Sequence, residues 1–334
     1  MKKALCFFIC SAASALAGPA YQVHEWGTFT TVAGSDGELL AGLDREEERL
    51  PAFVHSHYGF ENGQTPDLEE EQAIWKKYGP PGFGTGSKGL ANRPLTGVTV
   101  KMETPVIYFH SPEALHATVK VGFEGGTISQ WYPARTKGDV PPMPAPPVAP
   151  TQRGLPLSAW TLDFSQDYHG SIQWDVDVLS PAESAGKILF KPGDTLSWLR
   201  ARVPGTNVVK TAKGETEGYL FYRGVGHFNP GLTTTVDTGE TLHLDNRSGG
   251  KIPYLVAVER QPDLTLRWKE WSNGLEAGAS ADLEEKGFTP AGKGFAAPLY
   301  HAMIKGLADQ GLTHDEARAM VETWWNSYFE TAGL

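Results

Sequence analysis

The sequence of 334 residues contains little cysteine, no cluster of basic residues and no long hydrophobic run. Both cysteines, Cys6 and Cys10, lie inside an apolar segment at residues 4–16. If that segment is removed as a signal, the mature chain has no cysteine, which excludes disulfides, thiolate nucleophiles and cysteine-ligated metal sites. The net charge of −10 becomes −12 without Lys2 and Lys3 and argues against nucleic acid or anionic membranes as partners.

Common catalytic signatures are also missing from the sequence. It contains no G-x-S-x-G, no H-E-x-x-H, no P-loop and no dinucleotide glycine fingerprint in a strand–turn–helix context. No motif therefore assigns an activity, and whether the chain is an enzyme stays open at this point.

The amino terminus is typical of a secretory signal. Two lysines precede the apolar run, and residues 15–17 (Ala-Leu-Ala) fit the small-x-small pattern of a cleavage site. The run is too short to span a membrane comfortably, and a Gly-Pro pair follows it at once. Lipid anchoring through Cys10 is the alternative. We predict a signal peptide at residues 1–17 and an extracytoplasmic protein, periplasmic or secreted, with no membrane span after cleavage.

Short strand-like segments joined by turns dominate the rest of the chain. Glycine (38 residues) and proline (24 residues) are frequent, as is typical of such a pattern. Segments rich in β-branched and aromatic residues recur from residue 98 onward. The proline-rich stretch 141–150 predicts an extended surface loop. This pattern favours a mainly β body, an antiparallel sandwich or jelly roll, over a parallel α/β sheet.

The last part of the chain changes to a helical pattern. Thr313 and Glu316 form a capping box at the start of the second of two helical segments. Apolar residues then follow at helical spacing on one stripe: Ala317, Met320, Val321, Trp324 and Tyr328. We predict a β-rich body at residues 18–290 and a carboxyl-terminal helix hairpin at 291–334 that packs on it.

Without cysteine, a metal site would use histidine with aspartate or glutamate. His55 and His57 are two residues apart, so on an extended segment both imidazoles point to the same side. Two exposed histidines are the alternative. His24 and Glu25 point to opposite faces of a strand and cannot share an ion without a bulge. We take His24, His55 and His57 as candidate ligands of a divalent metal; a core or rim histidine beside Trp26 is the alternative for His24.

Glu103 is the acidic residue with the most informative position. In the segment KMETPVIYFH, strand alternation places it with Ile107 and Phe109 on the buried side, although a proline at 105 can interrupt pairing. A carboxylate among apolar side chains is costly unless it is paired or bound to metal. Glu103 is therefore a candidate catalytic base, as is Glu25, or half of a buried ion pair with Arg223.

The segment LFYRGVGHF supplies a further polar set. Tyr222, Arg223 and His227 lie around two glycines that permit a bulge or close approach of another backbone. Such a set suits acid–base chemistry or an anionic group. An edge strand with a bulge is the alternative.

Tryptophan is frequent, with 10 residues. Aromatic side chains usually belong to the core of a β protein. Trp26, Trp131 and Tyr132 are nevertheless candidates for a surface that binds a glycan or a protein partner.

Six blocks together resemble a family of exported bacterial proteins of unassigned function: VHEWGTFT, LPAFVH, KMETPVIYF, ISQWYP, LFYRGVGHF and EARAMVETWWNSYFE. The resemblance covers nearly the whole mature chain. It implies one extracytoplasmic module whose blocks meet in space, and it implies no activity and no catalytic residues. Members of that family continue past the final Gly-Leu with an apolar stretch, so this chain is expected to be shortened at Leu334.

Two functions follow from these observations. The first is an exported binding or envelope module that recognises a glycan or a protein partner through tryptophan and tyrosine faces. The second is a metal-assisted hydrolase, in which a bound divalent ion lowers the pKa of a water molecule toward neutrality. We prefer the first because no catalytic motif is present.

Overall fold

The computed structural model describes residues 6–8, 11–12, 21–43, 50–51, 53–56, 95–139, 162–165, 168–191, 193–194 and 196–330. His57 and the proline-rich stretch 141–150 lie outside the described residues. No helix in the described ranges is long and apolar enough to cross a membrane.

The described residues form twenty strands and three α-helices. The strands are β1 (Cys6–Phe8), β2 (Ser11–Ala12), β3 (Gln22–Thr30), β4 (His55–Ser56), β5 (Leu95–Thr96), β6 (Val100–His110), β7 (Leu115–Glu124), β8 (Gly126–Tyr132), β9 (Lys137–Gly138), β10 (Leu162–Asp163), β11 (His169–Val178), β12 (Val209–Thr211), β13 (Thr216–Glu217), β14 (Leu220–Gly226), β15 (Leu232–Val236), β16 (Leu242–Asn246), β17 (Leu255–Arg260), β18 (Thr265–Trp271), β19 (Ser280–Leu283) and β20 (Thr289–Lys293). The helices are α1 (Pro181–Ser184), α2 (Ala297–Asp309) and α3 (His314–Trp325). Two 3-10 turns span Ser197–Ala201 and Glu285–Gly287, and a π-helical turn at Asn326–Glu330 extends α3.

Most strands belong to one large, mainly antiparallel sheet. Its order is β1-β3-β6-β14-β8-β11-β12-β13, with β2 paired to β3, β4 to β8, and both β7 and β9 to β11. Three smaller sheets are formed by β5 with β10, by β15-β16-β19 and by β17-β18-β20. The predicted mainly β, antiparallel architecture is confirmed. β1 and β2, which lie in the predicted signal, pair with β3.

The large sheet encloses an apolar core between two of its parts. One face of β6 and β14 meets β7 and β11, whose alternating apolar side chains complete the core. Its fully buried members include Met102, Leu220, Ile172, Trp174 and Val176. Burial of this kind is worth about 1.5–3 kcal/mol for each large apolar side chain and is the main stabilising contribution to the fold.

The opposite face of β3, β6 and β14 packs on the carboxyl-terminal helices, as the sequence predicted. Side chains of the sheet and of the helix pair share one cluster that includes Trp26, Val106, Phe221, Met303, Leu307, Met320 and Val321. The small sheet β17-β18-β20 contributes Leu266 to the same cluster. The helices therefore lie against the large sheet on one side and a small sheet on the other.

Helix α3 begins at the predicted capping box. Thr313 Oγ1 accepts a hydrogen bond from the Glu316 N–H at 3.2 Å, and Glu316 Oε2 accepts one from the Thr313 N–H at 2.8 Å. These bonds satisfy two backbone donors at the helix start and fix where the chain enters the helix. The predicted stripe of Ala317, Met320 and Val321 is fully buried. The position of Glu316 therefore follows from local sequence.

Candidate functional site

A row of polar residues crosses the face of the large sheet that supports the helices. Thr28 of β3 stands opposite Glu103 of β6. Arg223 of β14 stands opposite Gln130 of β8, which in turn faces Ser56 of β4. All of these except Gln130 are buried. The strand order thus carries polar residues across five adjacent strands.

Glu103 and Arg223 form the charged centre of this row. Both are 3% exposed, and Arg223 Nη1 lies 3.7 Å from Glu103 Oε2. Lys101 Nζ lies 3.7 Å from Glu103 Oε1, and Arg223 Nε donates to Gln130 Oε1 at 2.5 Å. The ion pair between Glu103 and Arg223, one of the two sequence alternatives, is confirmed. Burying two charges opposes folding unless the pair is well placed and its remaining polar atoms are hydrogen-bonded.

Glu103 is buried as predicted, but the predicted face is wrong. Ile107 and Phe109 belong to the core between the two parts of the sheet, whereas Glu103 lines a cavity with residues of α3. The reason is a β-bulge: the register shifts between Trp26 and Thr28 of β3, whose partners on β6 are Val106 and Glu103. Such a bulge inserts an extra residue and reverses the alternation of side chains beyond it.

The bulge is tightly built and strained. Gly27 stands opposite it, and a Cβ added there would lie 2.6 Å from Pro105 Cα, so only glycine fits. Thr104 adopts a φ of 48°, in the left-handed region that a β-branched residue rarely occupies. A second shift occurs on β8, where Arg223 faces Gln130 but Gly224 faces Ile128. Bulges and strained backbone often re-aim side chains at functional sites.

A cavity of about 300 Å³ opens beside this strained segment. Glu103 and Arg223 line it from the sheet; the 3-10 turn and α3 supply Trp198, Arg200, Glu322 and Trp324. Arg200 Nη1 lies 3.1 Å from Glu322 Oε2. The indole N–H groups of Trp198 and Trp324 are buried and have no acceptor among the described residues.

Sequence reasoning missed Trp198 and treated Trp324 only as part of the apolar stripe of α3. Both side chains are buried. Their shared cavity depends on the docking of α3 against the turn at Ser197–Ala201, a contact between segments far apart in the chain. The high tryptophan content was the only sequence signal that pointed toward them.

His24 and Glu25 point to opposite sides of β3, as strand geometry required. His24 Nδ1 lies 2.8 Å from Glu316 Oε2 of α3. Glu25 instead accepts a hydrogen bond from the Tyr222 hydroxyl on the other face. The adjacent pair is therefore not a catalytic dyad, which agrees with the sequence argument.

His24, His110 and Glu316 form a compact cluster at the start of α3. His110 Nε2 lies 2.7 Å from Glu316 Oε1, and the two imidazole centroids are 4.6 Å apart. The hydrogen bond to Glu316 raises the pKa of His24. Burial opposes ionisation of Glu316, but hydrogen bonds from His110, His24 and the Thr313 N–H lower its pKa to about 2. Glu316 is thus a stable carboxylate shared by two histidines.

Glu25 and Tyr222 form a separate pair on the other face of the sheet. Burial raises the pKa of Glu25, and the hydrogen bond from Tyr222 opposes that rise only in part. Burial, together with the neighbouring Glu25 charge, raises the pKa of Tyr222 well above its ordinary value. Tyr222 directly precedes Arg223 on β14, so the two side chains lie on different faces and cannot serve one site directly.

His55 lies in a second region, at β4. Its Nε2 is 2.9 Å from Glu215 Oε1, and its ring stacks near Trp131 and Tyr132 at centroid distances of 6.4 and 6.0 Å. A cleft of about 740 Å³ borders it, with the Arg135 guanidinium 3.9 Å from the centroid of the Trp131 ring. Burial, followed by the charge of Glu215, raises the pKa of Tyr132 to about 12.

The remaining predicted site residues are dispersed. His227 is exposed, and its Nδ1 lies 3.0 Å from both Thr99 Oγ1 and the Gly97 carbonyl oxygen. For the segment LFYRGVGHF, the alternative of an edge strand is wrong, because β14 lies between β6 and β8, although the predicted bulge is present.

Trp26 and Trp131 are 1% and 2% exposed and offer no open stacking face.

The predicted metal ligands do not form one group within the described part of the chain. His24 contacts Glu316, His55 contacts Glu215, and His57 lies outside that part. In the described residues, the set whose ligand atoms all lie within 4.8 Å of one another is His24, His110 and Glu316. His110 and Glu316 were missed because their meeting depends on how α3 docks on the sheet.

Comparison with known proteins finds no matching family model, no matching curated protein and no matching solved structure.

Proposed function

We propose that this chain is an exported binding module whose ligand is a small glycan fragment, held in the cavity between Glu103, Arg223 and Trp324. The observation that carries this proposal is the buried Glu103–Arg223 pair at the wall of a 300 Å³ cavity beside strained backbone. Ligand sites commonly occupy about 300–1,000 Å³, so a cavity of this size suits a ligand of one or two sugar rings.

The charges around the cavity favour a hydroxylated ligand over a polyanion. Carboxylates of Glu103, Glu322 and Asp194 line it together with the guanidinium groups of Arg223 and Arg200. Sugar hydroxyls both donate and accept hydrogen bonds, so they can use acidic and basic side chains at once. An anionic ligand would meet repulsion from the three carboxylates, and a cationic ligand from the two guanidinium groups.

Two tryptophans supply the apolar part of the cavity. Trp198 and Trp324 line it, and each has a buried indole N–H with no acceptor in the described residues. Because the two N–H groups are closed to solvent, the tryptophans present apolar ring surface to the cavity. Both side chains are almost fully buried, at 1% and 5% exposure, so they form part of the cavity wall rather than the open stacking surface that the sequence assigned to Trp26, Trp131 and Tyr132.

Calorimetric titration of the mature protein with a panel of mono- and disaccharides tests the proposal, with tryptophan fluorescence as a second readout. We expect at least one sugar to bind and to change the emission, and Arg223→Met to weaken its affinity at least about tenfold. Arg267→Met is the matched control, because Arg267 pairs with Glu259 at 2.8 Å in the small sheet, away from the cavity.

Binding that persists unchanged in Arg223→Met, or no binding by any sugar in the panel, would refute the proposal. Circular dichroism of each variant shows that the fold is retained, so loss of binding is separated from loss of structure. A variant Arg223→Lys keeps the positive charge and is expected to bind more tightly than Arg223→Met.

A further inference from the structure

Three metal-binding side chains converge where α3 meets the large sheet. His24 comes from β3, His110 from the end of β6, and Glu316 from the first turn of α3. One nitrogen from each histidine and one oxygen of Glu316 lie within 4.8 Å of one another. This cluster is separate from the cavity proposed above, and the inference does not depend on that proposal.

We propose that His24, His110 and Glu316 bind one zinc ion that joins α3 to the sheet. Two imidazoles and one carboxylate are a ligand set that Zn²⁺ uses with three protein side chains and a fourth, open position. The absence of cysteine from the mature chain leaves histidine and carboxylate as the zinc ligands that this protein can offer.

The geometry requires only a small adjustment to hold the ion. The nitrogens of His24 and His110 lie 2.8 and 2.7 Å from the two oxygens of Glu316. Ligands of a tetrahedral zinc, at bonds of about 2.1 Å, lie about 3.4 Å apart. Each histidine must therefore move away from the carboxylate by roughly 0.6 Å, which a small rotation of the imidazole ring achieves.

The surroundings suit a site with one open coordination position. Glu316 is fully buried, whereas the side chains of His24 and His110 are 17% and 20% exposed. His110 also lines a cavity of about 540 Å³. A ligand or water can therefore reach the ion from the histidine side while the carboxylate stays anchored in the protein.

Glu316 is held in place by a bond that zinc does not have to replace. The Thr313 N–H donates to Glu316 Oε2 at 2.8 Å as part of the capping box. Such outer contacts orient a metal ligand and are part of a working site. The same residue thus fixes the start of α3 and presents a carboxylate to the two histidines.

Zinc titration of the full mature chain after treatment with a chelator tests the proposal, with ZnCl₂ as the probe in a buffer that does not bind metal. We expect one zinc ion per chain and a higher unfolding temperature with zinc, because the ion binds the folded state. His110→Asn is expected to weaken zinc affinity at least about tenfold and to remove the rise in unfolding temperature.

Two control variants keep the result specific. His243→Asn removes a partly exposed histidine that pairs with Asp282 and Asp237 and does not belong to the cluster, so its loss should leave zinc affinity unchanged. His55→Asn should also leave it unchanged, since His55 pairs with Glu215 elsewhere.

Three results would overturn the proposal. The first is no zinc binding by the folded wild-type protein, which would make the cluster a hydrogen-bonded contact only. The second is zinc binding that survives His110→Asn, and the third is binding lost in His55→Asn instead. A cobalt-substituted protein adds a readout independent of folding, since the visible spectrum should report nitrogen and oxygen ligands and should disappear in folded His110→Asn.

Discussion

The two ends of α3 cover buried charge on the same sheet face in different ways. At its start, Glu316 is fully buried and bonded at 2.7–2.8 Å to two histidines and its own cap. At its end, Glu103 and Arg223 sit 3.7 Å apart beside a strained bulge and a cavity. The first end has the tight pairing that secures a helix or holds an ion. The second combines a buried ion pair with strained backbone beside a cavity, a combination found at many ligand sites.

The largest expected effect is at the start of α3. Glu316→Ala, measured with chelator present, should lower the free energy of unfolding by about 3–5 kcal/mol, because it removes two histidine contacts and the acceptor of the Thr313 N–H. Denaturant unfolding measures this. The control Asp315→Ala breaks only an exposed pair with Arg318 and should cost about 1 kcal/mol or less. Equal losses of stability in the two variants would show that the contacts of Glu316 do not secure the start of α3.

The next largest effect concerns the buried ion pair of Glu103 and Arg223 at the other end of α3. Arg223→Met should cost about 3 kcal/mol, because it leaves the Glu103 carboxylate buried with Lys101 as its remaining cation among the contacts described above. The double change Glu103→Gln with Arg223→Met should cost less than the sum of the two single changes, since either single change already removes the attraction between the two charges. A double-mutant cycle by denaturant unfolding measures the coupling. Additive effects would show that the two charges do not interact.

A smaller effect should come from the strained bulge. Thr104→Gly should raise stability by about 0.5–1 kcal/mol, because glycine adopts a φ of 48° without the strain that threonine meets. It should also weaken sugar binding, since the bulge positions Glu103. Leu264→Gly, at a φ of 69° in the turn between β17 and β18, should give a similar gain without any change in binding. Destabilisation by Thr104→Gly would show that the bulge is not strained.

The smallest effect concerns a titrating group between the two parts of the large sheet. Burial raises the pKa of Glu25 in the folded state, so the fold favours the protonated form. The contribution of Glu25 to stability should therefore be largest below the ordinary pKa of glutamate and should be lost as the pH rises through the raised value, opposite in direction to that of Glu316. Glu25→Gln removes this titration, so its stability advantage over wild type should grow across that pH range. A free energy of unfolding that varies with pH in the same way in both proteins would show that the pKa of Glu25 is not raised in the folded state.

Local patterns predicted the parts of the fold that short segments determine. The capping box of Thr313 and Glu316, the apolar stripe of α3 and the division of His24 from Glu25 all follow from helix or strand periodicity. The pairing of Glu103 with Arg223 was one of two alternatives that the sequence left open for a buried carboxylate.

The composition of the candidate site depended on contacts between distant segments, which no local sequence pattern encodes. Strand alternation placed Glu103 on the wrong face because the bulge at Thr104 and Pro105 shifts the register. The meeting of His110 with Glu316 depends on how α3 docks on β6. Trp198 reaches the cavity only through the turn that packs on α3. Tertiary packing therefore decides which polar residues share a site.

A crystal structure of the protein with the tightest-binding sugar of the panel tests directly whether the cavity at the end of α3 is the ligand site. The sugar is expected to lie in the cavity at the end of α3, with oxygens within hydrogen-bond distance of Glu103 and Arg223 and its ring against the Trp324 side chain. A sugar bound instead in the cleft beside His55 and Arg135, with the α3 cavity unchanged, would contradict it.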